Sequence, residues 1–170
     1  MNGEVSNRVR QSVEVFVTLY VFWVLLNGSL AVDTLAIGVL VAFVIAALFR
    51  DSLSFLFEFR ISPRSLWASV QFGLYFLKEL LVANVKLAAI VLSPSLPIKP
   101  GIVKVRTRLK SRMGRLLLAN SITLTPGTLT VELEGEWLYI HWVTVEADDI
   151  DGATSRIVAG FERHLEVMYG

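Results

Sequence analysis

Lys78, Glu79 and Lys86 interrupt an otherwise apolar stretch from Ser65 to Leu92, and they are the first candidates for chemistry. A charge at a bilayer centre costs about 2.5–3.5 kcal/mol on insertion scales, so such residues mark ion routes, partner contacts or water-facing surfaces. At the helical repeat Gln71 and Lys78 share one line, Glu79 and Lys86 an adjacent one, and Tyr75 falls between. Together they make one polar stripe that can point at a partner, at water or at lipid headgroups. A proton or Na+ route through Lys78, Glu79 and Lys86 is one reading. Glu79 beside Lys78 also suits a self-neutralised structural pair, and that scaffold reading is the favoured one.

No other reactive constellation stands out. The chain has no cysteine to bridge or attack, and no Gly-rich phosphate loop. His141 and His164 lack metal-ligand spacing. His141 alternates with Trp137 and Tyr139, which places it on one face of a strand as a surface or interface residue. Asp148, Asp149 and Asp151 suggest a cation site, but a helix start explains acids there through capping and the macrodipole. The basic segment Lys104–Arg115 carries no interleaved aromatic platform, so anionic lipid or topology is a better reading than RNA. The expectation is therefore no enzyme, no catalytic residue, no cofactor, no metal and no nucleic-acid partner.

The elements carrying these residues divide by composition. Of 170 residues, 54% are hydrophobic and only 18% charged, against about 25% charged in a soluble domain. Mean hydropathy is +0.61. Residues 13–92 hold nearly all of the excess, so a single soluble globule, a disordered chain, a coiled coil and a disulfide scaffold are all excluded. Val13–Leu30 carries one charge, Glu14, and Thr34–Phe49 carries none. With flanking residues, each approaches the 17–25 residues needed to span about 30 Å of hydrocarbon. Asn27-Gly28-Ser29 and Asp33 form a polar turn between them, predicting a helical hairpin. A cleaved signal peptide is disfavoured, since no small-x-small site precedes a mature domain and a second apolar run follows at once. Gly38, Ala42 and Ala46 form a small-xxx-small ridge suited to close helix packing.

Lys and Arg placement orients the hairpin. Arg8, Arg10, Arg50, Arg60, Arg64, Lys99, Lys104, Arg106, Arg108, Lys110, Arg112 and Arg115 all fall inside if residues 13–30 and 34–50 span and both flanks are cytoplasmic. Were helix 65–92 to span as well, five of them would lie outside. The count favours two transmembrane helices plus a third that is interfacial and amphipathic, with a transmembrane third helix as the alternative. The expected organisation is a membrane domain over 1–93 (helices 13–30, 34–50 and 65–92), a Pro-rich linker over 94–101, and a cytoplasmic α+β domain over 102–170.

That last domain reads as β-α-β-β-α. Ile102–Thr107, Thr128–Glu134 and Trp137–Thr144 are predicted strands, the last two joined by Glu134-Gly135-Glu136. Ser111–Asn120 is a predicted short helix. Ile150–Met168 is predicted as one helix with Ile157, Phe161, Leu165 and Met168 as its buried stripe. Helices should cover one face of a small sheet.

Between the second predicted strand and the helix before it lies the most specific segment, Leu118–Thr128. Thr125-Pro126-Gly127-Thr128 has type II turn chemistry, with Pro fixing φ and Gly accepting positive φ. Asn120, Ser121, Thr123 and Thr125 supply short polar groups that can satisfy loop backbone. An ordinary helix-to-strand connection and a docking loop are both open readings.

LLLANSITLTPGTLTVEL followed by LYIHWV, behind apolar helices and FLKELLVANV, resembles the E subunit of Mrp-type multisubunit Na+/H+ antiporters. The resemblance runs from residue 13 onward, and Asn120–Thr128 is its most specific part. It implies a subunit of a bacterial inner-membrane complex that exchanges Na+ for protons, made of several small hydrophobic subunits and two large antiporter-like ones. Ion paths in that family are attributed mainly to the large subunits, with the E subunit needed for assembly and activity. Related subunits occur in hydrogenase-linked ion-pumping complexes, which stand as the alternative. The implied partners are the other subunits and membrane lipids, and the implied location is the inner membrane, multi-pass, with the C-terminal domain cytoplasmic.

Overall fold

A computed structural model describes residues 2–53 and 58–170, with side chains for 12–49 and 58–170. The side chains of Arg8, Arg10 and Arg50, counted above among the positive residues, lie outside the described set. The chain forms two compact units, Met1–Glu58 and Phe59–Gly170.

The first unit is a helical hairpin of α1 (Asn2–Asn27) and α2 (Val32–Leu53). The expected continuation of α1 to Leu30 is corrected: the helix ends at Asn27. Gly28 adopts φ +59°, its N–H donates to the Val24 carbonyl, and the Asn27 amide donates to Trp23 O. A left-handed glycine just past the last turn is a common helix stop. Val15 on α1 and Ala42 and Ala46 on α2 are buried in the seam. The outward side chains are apolar, among them Phe22, Leu25, Leu40, Phe43 and Leu48. Val32–Phe49, 18 residues with mean hydropathy 2.5, is the one helix among the described residues long and apolar enough to cross a membrane. Ser12–Asn27 is a shorter apolar helix.

The second unit contains α3 (Pro63–Leu92), β1 (Gly101–Arg106), α4 (Arg112–Leu124), β2 (Thr128–Glu134), β3 (Trp137–Trp142), α5 (Ile150–Ile157) and α6 (Ala159–Tyr169). Ser62 caps α3 by accepting the Ser65 N–H at 3.0 Å, and Pro63 occupies the first turn, where no N–H is needed. The strands form an antiparallel sheet of order β1-β3-β2. Alternation puts Val103, Val105, Leu138 and Ile140 inward, against Leu118 and Ile122 of α4, Ile157 of α5, and Phe161 and Leu165 of α6. Ala68, Phe72, Tyr75 and Phe76 of α3 close this core from the far side of α6, so the third helix shares one hydrophobic core with the sheet.

The single helix expected over Ile150–Met168 is corrected to two. The Val158 N–H still donates to Thr154 O, but regular helix resumes only at Ala159. The next residue, Gly160, lies against the Tyr75 hydroxyl, and a Cβ there would collide with it. The break and the glycine let α6 meet α3 closely. The expected stripe is kept, since Ile157, Phe161, Leu165 and Met168 are all buried. Lys99 in the Pro-rich segment pairs with the chain beyond β3: its N–H donates to Val143 O, and Val145 N–H donates to Lys99 O.

Candidate functional site

Helical spacing on α3 puts Phe72, Tyr75, Phe76, Glu79 and Ala83 on the side facing the rest of the unit. Leu66, Val70, Leu74, Leu77, Leu81 and Val85 lie on the opposite side, each more than half exposed. A helix made only to complete a soluble core carries polar residues on its outer face. Here the outer face is apolar apart from Asn84, and Tyr75, Glu79 and Lys86 sit on the inner side.

Those inner polar groups line a cleft of about 280 Å³ between α3, the α4–β2 turn, the end of β3 and α5–α6. Tyr75, Glu79 and Lys86 form the α3 wall, and Thr125–Thr128, Thr144, Glu146 and Arg156 form the wall opposite. Its floor is apolar, built by Ile122, Trp142, Ile157 and Phe161. Glu79 pairs with Lys78 at 3.4 Å, and Arg156 with Glu146 at 2.5 Å. The Thr144 hydroxyl is buried, with no hydrogen-bond partner among the described residues.

The stripe expected on α3 is thus divided. Tyr75, Glu79 and Lys86 line the cleft, whereas Gln71 and Lys78 are exposed beyond it. Tyr75 mainly packs. Its ring meets Phe161 edge-on at 5.1 Å, touches His164 at 5.7 Å and lies 5.1 Å from the Arg163 guanidinium. Burial, and then the Glu79 charge, raise the pKa of its hydroxyl.

The small-residue ridge is occupied within the chain. Gly38, Ala42 and Ala46 face α1, and the Trp23 indole fills the space that a side chain at Gly38 would take. Trp23 Nε1 donates to Thr34 O at 3.0 Å, which closes the hairpin.

In the loop singled out by sequence, hydroxyls are spent on the end of α4. Ser121 Oγ donates to Leu117 O, Thr125 Oγ1 to Ser121 O, and Thr128 Oγ1 shares its proton between Ile122 O and Thr125 O. Thr123 Oγ1 accepts the Thr130 N–H at 3.1 Å, tying the helix to β2. Gly127 adopts φ +93° and Thr128 N–H donates to Thr125 O, as the turn chemistry requires. Asn120 is exposed, and Pro126 joins Thr125, Gly127 and Thr128 at the cleft. The helix carries α4 to Leu124, past the expected Asn120, because these hydroxyls satisfy its terminal carbonyls.

Asp149 caps α5 by accepting the Gly152 N–H at 2.8 Å, and Asp148 lies 3.7 Å from Lys99. His141 shares the outer sheet face with Trp137 and Tyr139, through register with Ile102, Arg106 and Lys104. That register supplies an aromatic neighbour for the basic segment which linear spacing hid: Lys104 Nζ sits 4.2 Å from the Trp137 ring centre. Burial, and then the Arg163 charge, lower the pKa of His164.

Glu162 escaped the sequence reading. It is buried on α6, where its carboxylate accepts from the Thr107 hydroxyl and, at 2.8 Å, from the Arg108 N–H. Its position beside Phe161 and three before Leu165, inside an apolar stripe, was the available signal.

Residues 16–168 match the profile of a family described as Na+/H+ ion antiporter subunit. The E subunit of the Na+/H+ antiporter of Alkalihalophilus pseudofirmus is 39% identical over 127 residues, covering 74% of this chain and 78% of that protein. Its counterpart in Bacillus subtilis is 33% identical over 149 residues, covering 85% and 89%. Among solved structures, a chain of the archaeal membrane-bound sulfane sulfur reductase, a respiratory membrane complex, aligns with a TM-score of 0.73. It is 34% identical, and the match covers 92% of this chain and 98% of that one.

Proposed function

The chain belongs to the family of Na+/H+ antiporter E subunits, and from that membership we propose that it is a structural, non-transporting subunit of a multisubunit Na+/H+ antiporter in a bacterial inner membrane. In this reading α1 and α2 cross the bilayer and contact other subunits through their apolar outer faces. The third helix lies in the membrane surface with Leu66, Val70, Leu74, Leu77, Leu81 and Val85 toward lipid or partners. The sheet and α4–α6 then stand on its cytoplasmic side, where the positive residues 99–115 belong.

One observation carries the structural role. Within Ser12–Asn27 and Val32–Phe49 the only ionisable residues that could relay a proton are Glu14, Tyr20 and Asp33, and the charges of α3 lie on its inner and flanking sides. A chain with so short a relay is poorly equipped to move ions alone. Glu79, the strongest candidate for an ion path, already has Lys78 as a partner.

The test separates assembly from transport. Tyr75→Ala unseats α3, so recovery of the complex and antiport should fall together. Glu79→Gln should leave antiport per assembled complex within about twofold of the parent, the size of a modest surface effect. Intact assembly with antiport abolished by Glu79→Gln would place that carboxylate on the ion route and overturn the structural reading.

A further inference from the structure

We propose that the cleft beside α3 binds one anionic phospholipid, its phosphate on Lys86 and the start of an acyl chain on the apolar floor; this rests on the reading of α3 as a helix in the membrane surface.

Charge selects the headgroup. Of the four charged side chains lining the cleft, Glu79 is paired with Lys78, and Glu146 with Arg156. Lys86 has no ion partner among the described residues. That leaves one uncompensated cation at the mouth. A phosphate answers it, by a charge-assisted hydrogen bond to Lys86 Nζ.

Apolar surface selects a lipid over a free anion. The floor of Ile122, Trp142, Ile157 and Phe161 offers a soluble phosphate nothing. On α3, Val85, Ala89 and Val82 step around the helix from the outer face toward Lys86, all three exposed. They form an apolar track from the lipid-facing side to the cleft, along which a chain can enter while its headgroup stays at Lys86.

The experiment uses the full chain reconstituted in equimolar phosphatidylglycerol and phosphatidylcholine, then released gently and weighed by native mass spectrometry. One phosphatidylglycerol should be retained in preference to phosphatidylcholine. Lys86→Gln should cut that retention about tenfold, the effect of losing one charge-assisted hydrogen bond. Lys99→Gln removes the same charge from an exposed site and should leave retention unchanged. Excess inorganic phosphate should not strip the lipid. The proposal is overturned if Lys86→Gln retains phosphatidylglycerol like the parent, if both lipids are held alike, or if phosphate displaces the lipid. Lys86-dependent capture of a partner subunit's segment in place of lipid would also overturn it.

A bimane probe at Leu77→Cys, unique because the chain has no cysteine, reports the outer face independently. An apolar probe environment without lipid preference defeats the lipid site alone. A water-like environment defeats the placement of α3.

Discussion

Gly160→Ala is a sharp test of how α3 is seated. A methyl at Gly160 would land on the Tyr75 hydroxyl and its ring carbon Cζ. Helix α6 is anchored there by Phe161 and Leu165 in the core, so Tyr75 must turn away. Turning it away sacrifices the edge-on contact with Phe161 and the approach to Arg163. Forcing a methyl into a packed contact costs about 1–3 kcal/mol. Replacing glycine in a helix gains back at most about 1 kcal/mol in propensity. With that gain in full the net loss should be up to about 2 kcal/mol, a fall of several degrees in Tm for a unit of this size. In a Tyr75→Ala background the collision is gone and only the propensity gain survives, so Gly160→Ala should become neutral or stabilising. Thermal unfolding of the full chain in detergent, followed by helical circular dichroism, reads all four corners of this cycle. Equal destabilisation by Gly160→Ala with and without Tyr75 would refute the packing described for α3.

Gly38→Leu should displace the Trp23 indole and break its hydrogen bond to Thr34 O, costing the hairpin about 1–3 kcal/mol. Recovery of the protein in membranes should drop, with Gly38→Ala less affected; equal recovery of all three would contradict that packing. His164 has a lowered pKa from burial and the Arg163 charge, so the unfolded chain takes up its proton first as pH falls. Stability of the 59–170 unit should therefore decline as pH drops through about 6.5, and His164→Gln should flatten that part of the Tm profile.

Much of this architecture could be read from residues alone, and the exceptions have physical causes. Period-two alternation in Thr128–Glu134 and Trp137–Trp142, with Glu134-Gly135-Glu136 between, specifies the hairpin seen. Periodicity also fixed the polar side of α3. It could not say what meets that side, because a helical stripe identifies a face and not its partner. The polar stripe therefore suited partner, water or headgroup equally, and the structure brings three of its members to the chain's own sheet domain. The ridge of Gly38, Ala42 and Ala46 has the same ambiguity, and α1 fills it. The break at Val158 was hidden because the apolar stripe runs through it with unchanged spacing, and Gly160 explains itself only once Tyr75 is beside it. Trp137 under Lys104 is a pairing across strands, invisible to spacing along one of them.

The account stands on α3 lying along the membrane with its apolar side outward. Ile61, just before α3, is 89% exposed, and Ser95 follows its end. Single cysteines at these two positions, labelled with a membrane-impermeant maleimide in intact cells and in inverted vesicles, measure the placement directly. Labelling of both from the cytoplasmic face alone is the predicted result. Labelling of Ile61→Cys and Ser95→Cys from opposite faces would mean that α3 crosses the bilayer, and would contradict the account.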